Sequence, residues 1–227
     1  MSFTEEVREQ ADELWNKSKQ HPFLKELKEG TLSPEIFRYY LIQDRYYLEQ
    51  FSNIHQAAAE LSEDKDIKKS FLAGVAGLDE AELAVRESFF KELRIDEKEI
   101  QATPIAPTAY YYTAHMYKEL ASGSAARTAA ALLPCYWLYQ EIGEMLIENG
   151  SPKPLYQQWI ETYDSTGYQE AVDRQRRLTD FLAENVSESE RNLMLQSFLV
   201  SSYQEWKFWG MAYEQEQWEE SSCIHII

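Results

Sequence analysis

Apolar residues return every three or four positions along most of this chain, and nowhere do β-branched residues alternate with polar ones between turn dipeptides. That spacing constrains the fold to helices packed on helices. Val7, Ala11, Leu14 and Trp15 share one helical face, and Ile36, Tyr39, Tyr40, Gln43, Tyr47 and Phe51 share another, with Ser33 and Pro34 as cap and first turn. A third segment, about residues 67 to 93, carries Phe71, Val75, Phe89 and Phe90 and is expected to end before the charged "RIDEKEIQATP". Pro104 and Pro107 open a helix through "TAYYYTAHMYKELA" that stops at Ser122–Gly123, and residues 124–148 form the next, closed by Asn149–Gly150. Tyr156 to Tyr163 reads as a short helix broken by Gly167. The last two long helices run about 168–184 and 188–213, with Ser187 and Glu190 in the pattern of a capping box.

The 8 glycines and 7 prolines of the 227 residues form no linker, so one all-α domain over residues 1–218 is expected, followed by an unassigned tail at 219–227. The net charge of -17 is spread along the chain, as on a solvated surface, and such a surface repels nucleic-acid phosphates. No apolar run of about 18 residues predicts a membrane span, and "MSFTEEVREQ" lacks the regions of a signal peptide, so a cytoplasmic protein is expected. Cys135 and Cys223 show no zinc-site spacing with histidine, and both thiols are expected to be reduced. His21, His55, His115 and His225 each lack a glutamate three residues before them, which removes the di-iron signature and leaves structural or surface roles as the plain reading.

What remains is an aromatic load of 15 Tyr and 6 Trp with a few acids embedded in it. In "RYYLIQDRYYLEQF" Asp44 shares a helix side with Tyr40, Tyr47 and Leu48. A carboxylate there either pairs with Arg38 or Arg45, or stays exposed, or binds a ligand bearing N–H groups. In "SSYQEWKFWGMAY" Glu205 aligns with Phe208 and Trp209; it is either an exposed neighbour of Lys207 or a buried acid whose raised pKa suits proton transfer near neutrality. In "LLPCYWLYQEIGE" Pro134 is expected to kink or restart the helix and leave Cys135 in a first turn, where free N–H groups lower a thiol pKa. Tyr139 follows one turn later. The competing reading of Cys135 is an inert core thiol.

Together with "PTAYYYTAHMY", these segments resemble the TenA family, the thiaminase II or aminopyrimidine aminohydrolase enzymes, over nearly the whole chain. The resemblance implies a haem-oxygenase-like multi-helix bundle, a homotetramer, and no cofactor or metal. It implies hydrolysis of 4-amino-5-aminomethyl-2-methylpyrimidine to the hydroxymethylpyrimidine in thiamin salvage, with thiamin itself also cleaved. Carried over residue by residue, it makes Cys135 the nucleophile, Glu205 the proton carrier, and Asp44, Tyr47, Tyr112, Tyr139, Tyr163 and Phe208 the binding positions for a small aminopyrimidine. Two other classes stay open: a non-catalytic helical regulator or pyrimidine-binding protein, and a metal or haem oxidoreductase on the same fold.

Overall fold

The computed structural model describes residues 1–219, and side chains outside residues 78–87. Three short helices, α1 (Phe3–Gln10), α2 (Asp12–Lys19) and α3 (Pro22–Glu29), precede the long α4 (Pro34–Ala58) and α5 (Lys65–Val85). A π turn at Arg86–Phe90 leads through the single turn α6 (Lys91–Leu93) to α7 (Glu97–Ala102). Then come α8 (Pro107–Ala121), α9 (Ala125–Ile147), α10 (Pro154–Asp164), α11 (Thr166–Glu184) and α12 (Glu188–Glu214). Local chemistry sets these limits. Ser33, Ser124, Ser165 and Ser187 each accept a backbone N–H at the start of their helix, and Gly30 and Gly123 take the left-handed conformation just beyond α3 and α8.

The bundle is built around α9. Its Leu132, Leu133, Leu138 and Ile142 are fully enclosed, and α4, α8, α10, α11 and α12 all pack against it. Trp15, Trp159 and Trp209 are also fully enclosed. Each large ring buries on the order of 200 Å², worth roughly 5 kcal/mol of transfer free energy at about 25 cal/mol per Å². The Trp15 indole N–H is satisfied by Ser202 Oγ at 3.0 Å, so its burial leaves no orphaned donor.

The helices differ from the sequence expectation in four places. Ala11 separates α1 from α2 by one residue while keeping the face, because its N–H is shared between the carbonyls of Val7 and Arg8 at 3.0 and 3.2 Å. Helix α3 begins at a histidine cap, His21 Nδ1 accepting from Phe23 N–H at 3.2 Å, a signal weaker than serine or aspartate. The charged "RIDEKEIQATP" contains α7, capped by Asp96, which accepts from Glu99 N–H at 2.9 Å. The break before α11 falls at Ser165 rather than Gly167, since the serine caps the new helix and the glycine is carried inside its first turn. No helix among the described residues is long and apolar enough to cross a membrane. Cys223, His225 and nearly all of the tail lie outside the described residues.

Candidate active site

Five helices bring their aromatic and acidic positions to one place. From α4 come Tyr40, Asp44, Tyr47 and Phe51, spaced three and four apart so that one face delivers them all, and every one is buried. Opposite lie Tyr112 of α8 and Cys135 and Tyr139 of α9, with Tyr163 of α10 and Glu205, Phe208 and Trp209 of α12. All eight residues singled out in the sequence converge here. Arg38, a conceivable partner of Asp44, instead reaches the Leu93 carbonyl and Glu99. Lys207 lies over the Trp206 ring, and Glu205 is only 2% exposed.

The rings form two walls. Tyr47 packs against Tyr112 with ring centroids 4.9 Å apart and edge-on to Phe208 at 5.7 Å, while Tyr139 packs against Tyr163 at 4.9 Å and Trp209 at 5.2 Å. These offset and edge-on contacts hold each ring in register. Tyr163 owes its position to Gly143. A Cβ on Gly143 would lie 2.9 Å from the Tyr163 backbone carbon, so α10 approaches α9 closely enough to seat the ring only because that side chain is missing.

Electrostatics converge on Glu205. The Tyr112 hydroxyl donates to its Oε1 at 2.7 Å, a short charge-assisted bond in a buried setting. Burial pushes the Glu205 carboxyl up to about 8, the Asp44 charge acts in the same direction, and the Tyr112 hydrogen bond pulls against both. Of the two readings the sequence left open for Glu205, burial selects the acid with a raised pKa over the exposed neighbour of Lys207.

The expectation for Cys135 fails. Pro134 sits inside α9, which runs from Ala125 to Ile147, so Cys135 occupies mid-helix rather than a first turn. Pro134 is buried, and Ser201 Oγ of α12 donates to the Ala131 carbonyl at 2.7 Å, beside the Ala130 carbonyl that the proline leaves without its helical N–H donor. Tertiary packing thereby carries the helix across a residue that would end an isolated one. No helix N-terminus is left to stabilise a thiolate. Burial pushes the thiol well above its ordinary value, the Glu205 and Asp44 charges add to the shift, and a Tyr47 hydrogen bond partly opposes it. Cys135 nevertheless retains some accessible surface. The site thus holds a neutral thiol beside an acid that is mostly protonated at neutral pH.

Three further residues complete the surroundings. Tyr40 touches Trp209 in a stacked pair at 5.9 Å, and the charge of nearby Asp44 adds to the burial that raises its phenol. Its place one turn before Asp44 was visible in "RYYLIQD". Tyr168 donates to the Cys135 carbonyl at 3.4 Å, and Tyr136 bonds His55 Nε2 at 3.0 Å. Burial lowers the His55 pKa to about 3, so it is a neutral packing residue. Nothing in the sequence near Tyr168 announced its contact, because it depends on how α11 crosses α9. Among the described residues no three His, Cys, Asp or Glu side chains gather as a metal ion would require.

Known proteins resemble this chain over nearly its whole length. The chain is 42% identical over 226 residues to the aminopyrimidine aminohydrolase of Bacillus subtilis, covering 100% of this chain and 96% of the relative. It is 30% identical to the enzyme of the same name from Halalkalibacterium halodurans, covering 96% and 98%. Among solved structures, a TenA family transcription regulator from Silicibacter superposes with a TM-score of 0.86 at 28% identity, covering 93% of this chain and 96% of that one. A TenA homologue from P. horikoshii superposes at 0.83 and 26%, covering 94% and 99%. The family model for TENA/THI-4/PQQC proteins matches residues 8–215. With nearly every residue of the bundle inside that match, the chain belongs to the TENA/THI-4/PQQC family.

Proposed function

We propose that this protein is an aminopyrimidine aminohydrolase of thiamin salvage, converting 4-amino-5-aminomethyl-2-methylpyrimidine and water to the hydroxymethylpyrimidine and ammonia, and cleaving thiamin into its pyrimidine and thiazole. The observation that carries the reading is the group of buried Glu205, Tyr112 and Asp44 beside Cys135, set among aromatic rings. A flat amine-bearing ring stacks between the walls formed by Tyr47, Tyr112, Phe208, Tyr139 and Tyr163. The Asp44 carboxylate accepts hydrogen bonds from its N–H groups and favours the protonated, electrophilic ring.

That ring charge resolves the problem of the neutral thiol. A cation within about 4–6 Å lowers an acid's pKa by about 1–3 units, so substrate binding supplies what a helix terminus does not. Glu205 holds its proton the more weakly and loses it first; its carboxylate then takes the Cys135 proton as the thiolate forms, so that Glu205 carries the one proton left in the pair. The Cys135 thiolate adds to the ring carbon beside the one bearing the aminomethyl group, and the displaced electrons expel the amine as Glu205 protonates it. Water adds to the resulting exocyclic methylene with Glu205 accepting its proton, and rearomatisation expels the thiolate. Overall one C–N bond is exchanged for one C–O bond.

A cytoplasmic location, a haem-oxygenase-like bundle and a homotetramer go with this reading; the last predicts a particle of about four times the 26.6 kDa chain mass by light scattering. The test of function is direct: purified protein with the aminomethylpyrimidine is expected to release ammonia and hydroxymethylpyrimidine in equal amounts. Absence of both products with the substrate bound unchanged supports a pyrimidine-binding protein instead.

A further inference from the structure

A cavity of about 340 Å³ lies beside the candidate active site, between α5, α9, α10 and α11, and none of the eight residues discussed above lines it. Two of its lining residues nonetheless adjoin Cys135. Tyr136, on its wall, follows Cys135 in the chain, and Tyr168, also on its wall, donates its hydroxyl to the Cys135 carbonyl at 3.4 Å. Its volume is in the range of small-molecule sites. The wall also carries Gly77, Gly167 and Ala171, whose small side chains leave the space open. Gly74, on the same wall, has a packing reason to be glycine, since a Cβ there would meet the His55 ring at 2.6 Å. Gly77 has none: a Cβ would meet nothing within 4 Å, although glycine inside a helix costs about 1 kcal/mol relative to alanine.

Among the described residues Arg174 is the only cation lining the cavity. Its Nε is buried without a hydrogen-bond partner, and it forms no salt bridge among the described residues. On a chain of net charge -17 with acids in excess, a guanidinium left this way is set for an anion brought from outside.

We propose that this cavity is a leaving-group subsite that takes an anionic arm, a carboxylate or phosphomonoester, carried on the amine displaced from the pyrimidine. The proposal rests on the hydrolytic reading above and extends its substrate class to N-substituted aminomethylpyrimidines. The substituted amine leaves with the electron pair of the broken C–N bond and takes its proton from Glu205, while water supplies the oxygen of the product alcohol. The pyrimidine stays in the aromatic box, the arm passes Tyr136 and Tyr168, and its anion meets Arg174.

The test uses two series of aminomethylpyrimidines whose amine carries alkyl arms of increasing length, ending in carboxylate or in hydroxyl. At the best length the wild-type protein is expected to show a kcat/KM at least about tenfold higher for the carboxylate, matching the strength of a charge-assisted hydrogen bond. Arg174→Met brings that ratio near one. Gly77→Leu, which suits a helix, lowers turnover of both arms together. Equal rates for the two arms in the wild type, or a ratio untouched by Arg174→Met, would overturn the subsite. Should the parent amine itself not be hydrolysed, calorimetric binding of the carboxylate series still decides: affinity lost in Arg174→Met supports the cavity, and no binding by the wild type refutes it.

Discussion

Replacing Tyr112 by phenylalanine removes one hydroxyl from the site and leaves the ring wall in place. That hydroxyl donates to Glu205 at 2.7 Å and opposes the burial that raises the acid to about 8. Buried hydrogen bonds to a charged group are worth about 1.5–3 kcal/mol, and one pKa unit corresponds to about 1.4 kcal/mol, so Tyr112→Phe is expected to raise Glu205 by about one to two units. The sign follows from which form is favoured: the phenol stabilises the carboxylate, and without it the proton is held more tightly. The reacting pair of Cys135 and Glu205 carries a single proton, so kcat/KM should rise with pH until the pair has lost its first one. In the wild type that limb belongs to Glu205, near 8. In Tyr112→Phe it should move to about 9–10, with turnover at pH 7 reduced by about 10–100-fold and largely restored at alkaline pH. The assay is ammonia release from the aminomethylpyrimidine across pH. Titration of the substrate amine affects both proteins alike, so the difference isolates the enzyme group. An unmoved limb, or a loss of rate equal at every pH, would refute the proton-holding role of the Tyr112–Glu205 bond.

Asp44→Asn should act in the opposite direction on the same limb, because the Asp44 charge raises both Glu205 and Cys135. The pH–rate profile shifts to lower pH while KM rises by about tenfold or more from loss of the charged contact to substrate. Gly143→Ala places a methyl 2.9 Å from the Tyr163 backbone and is expected to cost about 1–3 kcal/mol in denaturant melts and to raise KM by displacing the Tyr163 ring. Glu205→Gln should flatten the pH dependence of stability. The folded-state pKa of about 8 lies above the ordinary 4.5, so the stability tied to the protonated acid is fully present below 4.5 and lost as pH rises through 8. At about 1.4 kcal/mol per pH unit, the part of this change that falls between pH 5 and 8 is roughly 3–4 kcal/mol, which urea titrations at those two pH values read.

The helical class and most helix limits were legible because serine caps, glycine stops and proline first turns act locally; α4, α8, α9 and α12 begin where those signals stand. The face of α4 that carries Asp44 and Tyr47 was legible for the same reason, since three- and four-residue spacing fixes a helix side. Pro134 was not. Its effect depends on Ser201 of another helix and on a buried environment, neither of which appears in "LLPCYWLYQ". With the helix continuous, the cysteine lost its expected source of activation, which is why the function proposed above draws the activation from the substrate and from Glu205. Tyr168 and Gly143 were missed because helix crossings decide their contacts, and residues in the sequence around them carry no trace of that geometry.

The central claim is that Cys135 attacks the pyrimidine ring. Turnover of the aminomethylpyrimidine by Cys135→Ser, with substrate affinity measured on the same sample by calorimetry, tests it most directly. The account predicts binding close to that of the wild type and ammonia release lowered by at least about 10³-fold, as for loss of an enzyme nucleophile. Ammonia release at the wild-type rate from Cys135→Ser would contradict it.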